Sequence, residues 1–185
     1  MLWGYRTMSK ILDEENLTFD FTAYDTVEKF DVKKTNPHGM KVVDFLAETN
    51  DCLYFIEVKD FQHPNAPPYR RKEDFLMLTD KNSKEYAEFP LKMGGKIKDS
   101  LLRKYAEGYS FQKRVMYLFL FNMKQLGKKE LGMLKGRISN CVPTGLNGNI
   151  RFCAFTEISF DLVNVDLAQA GQSQKENDII VQRIL

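Results

Sequence analysis

Leu17-Thr18-Phe19-Asp20-Phe21 alternates apolar and polar positions and predicts a short strand. Thr22 is placed to cap a helix over Ala23 to Phe30, with Val27 and Phe30 three apart on one face. Asn36-Pro37-His38-Gly39 carries turn signals. Met40 to Glu48 and Cys52 to Phe61 read as strands, with Thr49-Asn50-Asp51 as the hairpin turn between them. Asn and Asp tolerate the left-handed backbone such turns use. Residues 62–92 hold Pro64, Pro67, Pro68 and Pro90 and predict an irregular stretch, with one helical turn at Phe75 to Leu78. Gly94 and Gly95 precede a predicted helix from Lys96 to Gly108, whose stripe is Ile97, Leu101, Leu102 and Tyr105. Arg114 to Met123 is continuously apolar, as a strand buried on both faces would be. Gly127 to Ser139 predicts a basic helix; Ile150 to Phe155, Ile158 to Val165 and Ile179 to Leu185 predict three more strands. This order predicts an α/β fold, a mixed β-sheet flanked by helices.

Length and composition narrow the class. One domain over residues 1–185 is expected from the 185-residue length, and 43% hydrophobic with 28% charged residues is ordinary for a globular chain. The longest apolar run, Val115 to Phe121, is far short of the ~20 residues a membrane helix needs, and no apolar signal core opens the chain. A cytoplasmic protein without membrane contact is expected. Cys52, Cys141 and Cys153 form no Cys-x-x-Cys pair and read as reduced thiols; His38 and His63 form no zinc-enzyme motif. Residues 1–61 hold seven Lys/Arg against twelve Asp/Glu, while residues 62–104 hold ten against six. An acidic first third beside a basic segment is the pattern of a cation site next to an anion-binding surface, or of solvated faces that differ in sign.

The hairpin carries the chemistry. With an even-length loop centred on Asn50-Asp51, Glu48 faces Leu53, Leu46 faces Phe55 and Asp44 faces Glu57. Lys59, two residues beyond Glu57, shares that face; a loop of odd length would break the register. Glu-x-Lys on a strand commonly marks a solvent-facing edge. Here Leu53 and Phe55 share the face of Glu57, and Tyr54, Ile56 and Val58 line the other, so both faces are apolar. Two opposed carboxylates at the margin of such a face repel, and a divalent cation relieves the repulsion. A neighbouring lysine can position or help deprotonate a water, or neutralise a phosphate. This is equipment for metal-assisted phosphodiester hydrolysis.

Asp44 followed by Ile56-Glu57-Val58-Lys59 resembles the active site of the PD-(D/E)xK nucleases, the restriction-endonuclease-like superfamily. The resemblance runs from about Thr18 to Met123, and Val42 to Phe61 also resembles a group of uncharacterised bacterial proteins with this core. It implies a restriction-endonuclease-like core over about 18–123, with its active site on a hairpin, and a C-terminal strand/helix extension over 124–185. It implies Asp44 and Glu57 as ligands of Mg²⁺ or Mn²⁺, and Lys59 as the catalytic lysine. The proline that often precedes the family's aspartate is Val43 here. Some members add a carboxylate from the first core helix; Glu28 is the candidate, and His38 is a further residue near the same strand.

Arg70, Arg71, Lys72, Lys96, Arg103, Lys104, Lys113 and Arg114 are candidates for phosphate contacts, or simple surface charges. The expectation is a metal-dependent nuclease acting on nucleic acid, DNA first, with a homodimer or larger assembly compatible. The alternative is a nuclease-fold module, weak or inactive in catalysis, that binds nucleic acid or protein.

Overall fold

The predicted strand at Leu17–Asp20 forms (β2), but its first partner is a segment without a marked pattern, β1 (Ile11–Glu14). The computed structural model describes residues 10–32, 39–62, 68–123, 125–144, 158–164, 173–176 and 178–183. β9 (Ile179–Arg183) pairs with the other side of β2, and β8 (Ser173–Glu176) with β9, giving an antiparallel sheet in the order β1-β2-β9-β8. The larger sheet runs β3 (Thr26–Lys29), β4 (Phe45–Glu48), β5 (Cys52–Asp60), β6 (Arg114–Asn122), β7 (Ile158–Asn164). Its first three strands form an antiparallel meander, and β5, β6 and β7 are parallel. Helices α1 (Pro68–Thr79) and α2 (Lys84–Ala106) lie between β5 and β6, and α3 (Lys128–Ser139) between β6 and β7.

These elements make three layers. On one face of the large sheet Leu53, Phe55, Phe119 and Phe121 share a core with Phe89, Met93, Ile97 and Leu101 of α2 and Leu134 and Ile138 of α3. On the other face Ile56, Val58, Leu118 and Leu120 meet Phe19, Phe21, Ile179 and Val181 of the small sheet. β5 and β6 are therefore sandwiched, which is why neither strand alternates in sequence. The fold is mixed α/β as expected, with helices covering one face of the large sheet and a second sheet covering the other. Cys52 and Cys141 are free thiols, and among the described residues no helix is long and apolar enough to cross a membrane.

Four expectations are corrected. Residues 23–30 form no helix. The Thr22 amide donates to Asp20 Oδ1 (2.8 Å) and the Tyr24 amide to the Phe21 carbonyl (2.9 Å), so a turn leads into β3. β-branched Thr26 and Val27 then pair with Glu48 and Ala47 of β4. A single Val/Phe spacing was a weak helix signal, and sheet pairing outweighs it. Met40 to Glu48 is strand only from Phe45; the segment before it is held to α2, the Lys41 amide donating to Asp99 Oδ2 (2.8 Å) and the Val43 amide to Ser100 Oγ (3.0 Å). The 49–51 turn closes with the Thr49 amide donating to the Cys52 carbonyl (2.9 Å), and neither Asn50 nor Asp51 takes a positive φ.

The fourth correction is the largest. Residues 62–92 are mostly helical beyond Pro68, and α2 starts twelve residues before Lys96, with Pro90, Gly94 and Gly95 inside it. Pro90 has no N–H to donate to the Tyr86 carbonyl, but the Arg137 guanidinium of α3 donates to that carbonyl instead. Gly94 is where α2 meets the end of α3: a Cβ there would lie 2.6 Å from Cys141 Cβ and closer still to its carbonyl oxygen. Both punctuating residues thus serve helix packing. The buried stripe runs Phe89, Met93, Ile97, Leu101, while Leu102 and Tyr105 are exposed. The predicted strand Ile150 to Phe155 lies outside the described residues.

Candidate active site

The hairpin has the register derived from its sequence. Phe45 pairs with Ile56, Leu46 with Phe55 and Glu48 with Leu53, which continues to Asp44 beside Glu57 at the open end. Asp44 is held from several sides. Its Oδ2 accepts from the Val58 amide (2.6 Å), and its carbonyl accepts from the Phe30 amide (2.7 Å). Glu57, between β4 and β6, is fully buried at 0% exposure, on the helix-covered face with Leu53 and Phe55. It sits near the C-terminal end of β5, paired to Phe119 of parallel β6. Carboxyl ends of parallel strands are where α/β sheets collect ligand-binding groups.

Two ammonium groups meet these carboxylates. Lys59 Nζ lies 3.1 Å from Glu57 Oε1. Lys96, from α2, sits deeper: its Nζ donates to Glu57 Oε1 at 2.6 Å and Oε2 at 2.7 Å, and lies 3.8 Å from Asp44 Oδ1. Lys96, expected as a phosphate contact, is here only 15% exposed along its side chain and is the closest counter-ion of the buried glutamate. Ser100, one turn on, is fully buried and ties this part of α2 to the segment that carries Asp44, just before β4.

A third carboxylate comes from an unexpected place. Glu15, in the β1–β2 turn, has a left-handed backbone (φ 55°). Its Oε2 accepts from the Asp60 amide (2.7 Å), and its Oε1 stands 4.0 Å from Lys59 Nζ. Glu28 does not fill this place. It lies on strand β3, is 53% exposed along its side chain and pairs with Lys104 (3.0 Å). The helix assigned to it does not exist, so its side chain is directed by β pairing. The only sequence trace of Glu15 was the acidic run Asp13-Glu14-Glu15, which carries no information about reaching β5.

Burial dominates the electrostatics. Desolvation and then repulsion from Asp44 push Glu57 up to about 7, against the pull of Lys59 and Lys96. Desolvation also raises Asp44, opposed by Lys96, Lys59 and the Val58 amide. Burial pulls Lys59 down, but Glu57, Asp44 and Glu15 outweigh it and push it up to about 12. Lys59 is therefore a cation at neutral pH and is no base in this state.

The remaining basic candidates are spread widely. Arg103 stacks on Phe30 (4.0 Å to the ring centroid) and donates to the Phe30 carbonyl (2.9 Å) and to Glu107 (2.9 Å). Lys104 pairs with Glu28 and with Glu107 (3.5 Å). Lys113 binds Glu48 (2.8 Å) and Arg114 binds Asp51 (2.9 Å), at the turn end of the hairpin, away from Glu57. Arg70, Arg71 and Lys72 lie on α1; their side chains, and His38, fall outside the described residues.

The donor set fits a hard divalent cation, since Asp44 and Glu57 are oxygen donors converging on the Lys96 ammonium. Among the described residues no group of three or more His, Cys, Asp or Glu side chains forms a ligand set. Two carboxylates completed by water are sufficient for Mg²⁺. Comparison with family models, curated proteins and solved structures gives no significant match to this chain.

Proposed function

We propose that this chain is a metal-dependent nuclease of the PD-(D/E)xK type. The observation that carries the reading is the convergence of Asp44, Glu57 and Lys59 at one end of the β4–β5 hairpin, with both carboxylates against a single cationic nitrogen. The meander β3-β4-β5, the helical crossover and the parallel strand β6 support a restriction-endonuclease-like core. The first core helix of that family has no counterpart among the described residues, where β3 stands instead.

Asp44 and Glu57 would hold Mg²⁺ or Mn²⁺. Such an ion supplies a polarised phosphoryl oxygen and a water of lowered pKa. The chain's own residues do the rest. The Val58 amide fixes one Asp44 oxygen and leaves Oδ1 toward Lys96, which also binds Glu57. Lys59, held charged, orients a water or neutralises a phosphate by electrostatics, the part of its expected role that its protonation permits. The core on both faces of β5 keeps water from the stems of these side chains. DNA is the first substrate to test and RNA the second.

A second reading rests on one observation. Lys59 and Lys96 already supply two positive charges to the two carboxylates, as expected of a nuclease-fold module that binds without cutting. Thermal melts separate the two. A metal-using site gains stability with Mg²⁺ through binding linkage, and Asp44→Asn gains little. Identical melts of the wild type with and without Mg²⁺ or Mn²⁺ favour the binding module.

A further inference from the structure

Lys96 links the site to a cleft beside it. Its ammonium lies in the mouth of the Glu57 carboxylate, within hydrogen-bonding reach of both oxygens and 3.8 Å from Asp44 Oδ1. A divalent cation that used Glu57 and Asp44 would need the same space, and two cations cannot share it. Lys96 also lines a cleft of about 300 Å³ between α2 and the segment before β4, with Gly39, Lys41, Glu88, Lys92, Gly95 and Asp99, where Lys92 is paired with Glu88 (3.1 Å). Gly39 and Gly95 have open space where a Cβ would project. The Asp99 carboxylate, one turn from Lys96, accepts the Lys41 amide (2.8 Å) and offers a new partner at the cleft wall.

Resting on the nuclease reading, we infer that Lys96 is an exchangeable internal counter-ion: entry of a divalent cation between Asp44 and Glu57 displaces its ammonium into the cleft lined by Lys41 and Asp99. Without the metal, Lys96 stabilises a buried carboxylate that would otherwise stand against Asp44. With the metal, the freed ammonium joins Lys41 on the cleft wall opposite Asp99, while Lys92 there is paired with Glu88, and the added positive charge favours a nucleic-acid phosphate. The exchange conserves good pairing in both states, since a long flexible lysine can re-aim its head group without moving its helix. A methionine or glutamine there would fill the volume but leave nothing to displace.

Two measurements on the full chain test this, with Mn²⁺ as the probe. The first is amine acylation mapped to Lys96 by mass spectrometry: in wild type the rate should rise severalfold when Mn²⁺ is added. The second is calorimetric Mn²⁺ affinity at an alkaline pH where the affinities of both proteins no longer change with pH; there Lys96→Met should bind at least about tenfold tighter than wild type. Binding to Lys96→Met alone, with none to wild type, overturns the exchange, because the lysine then blocks the carboxylates instead of leaving them. Wild type that binds Mn²⁺ with Lys96 acylation unchanged, or a folded Lys96→Met with equal or weaker affinity, overturns the exchange and leaves the metal reading standing. No Mn²⁺ binding to either protein overturns both. If Lys96→Met does not fold, the acylation result on wild type decides alone.

Discussion

The Val58 amide donates to Asp44 Oδ2 at 2.6 Å, so one oxygen of this buried carboxylate ties the start of β4 to β5 and the other lies 3.8 Å from Lys96 Nζ. Asp44→Asn and Asp44→Ala should therefore behave differently. Asn can still accept from Val58 while removing a charge that burial disfavours, so the metal-free protein should melt at or above the wild-type temperature. Ala leaves the Val58 amide buried without an acceptor and should cost about 1–3 kcal/mol. Both should bind Mn²⁺ far more weakly. Denaturant melts in chelator check the order; equal loss in both variants would remove the hydrogen bond from the explanation.

Glu57 predicts a pH dependence with a definite sign. Its folded value of about 7 lies above the ordinary 4.5, so the folded state binds this proton more tightly than the unfolded state. Stability is then greatest at low pH and declines as pH rises from 4.5 to 7, by about 3 kcal/mol across the window. Asp44 and Glu15 are raised too and act in the same direction. In chelator, Glu57→Gln should flatten the slope between about pH 5 and pH 7. A slope unchanged by that substitution would assign the pH dependence to other groups.

Glu15 holds a left-handed φ of 55° at the β1–β2 turn while accepting the Asp60 amide beside Lys59. Glycine would relieve about 1 kcal/mol of backbone cost there, against the loss of one hydrogen bond to a charged acceptor. Glu15→Gly should consequently keep a near-wild-type melting temperature. Lys59 would lose an orienting partner, so kcat should fall severalfold with KM little changed. A variant that melts normally and cuts normally would limit Glu15 to a role in the turn.

Pro90 and Arg137 should be coupled, because the guanidinium serves the Tyr86 carbonyl that proline leaves without its helical donor. Arg137→Met should cost about 1–3 kcal/mol in the wild-type background. It should cost less beside Pro90→Ala, where residue 90 regains an N–H. A double-mutant cycle measures the difference; strict additivity would show that the two residues act independently.

The legible part of the chain was the part in which side-chain patterns are local. The register of the 44–59 hairpin could be counted, because a turn and a period of two fix it, and so Asp44, Glu57 and Lys59 could be placed together. The continuous apolar run 115–121 announced β6 for the same reason. Illegible were choices settled by distant contacts. β3 is a strand because β4 offers it an edge. α2 continues through Pro90 because a residue 47 positions later satisfies the orphaned carbonyl. Glu15 joins the site because a second sheet covers the face of β5 opposite the helices. Lys96 was visible as a cation near the side opposite the predicted apolar stripe, but its partner lies 39 positions away.

The most direct test of the account is a cleavage assay on single- and double-stranded DNA and RNA with Mg²⁺ or Mn²⁺. Wild type should cut at least one of these substrates, stop when the metal is chelated, and lose at least about 10²-fold in rate in a folded Lys59→Ala. Nucleic acid bound equally well with and without metal, and left intact by the wild type under every condition, would contradict the nuclease reading and leave a binding module in its place.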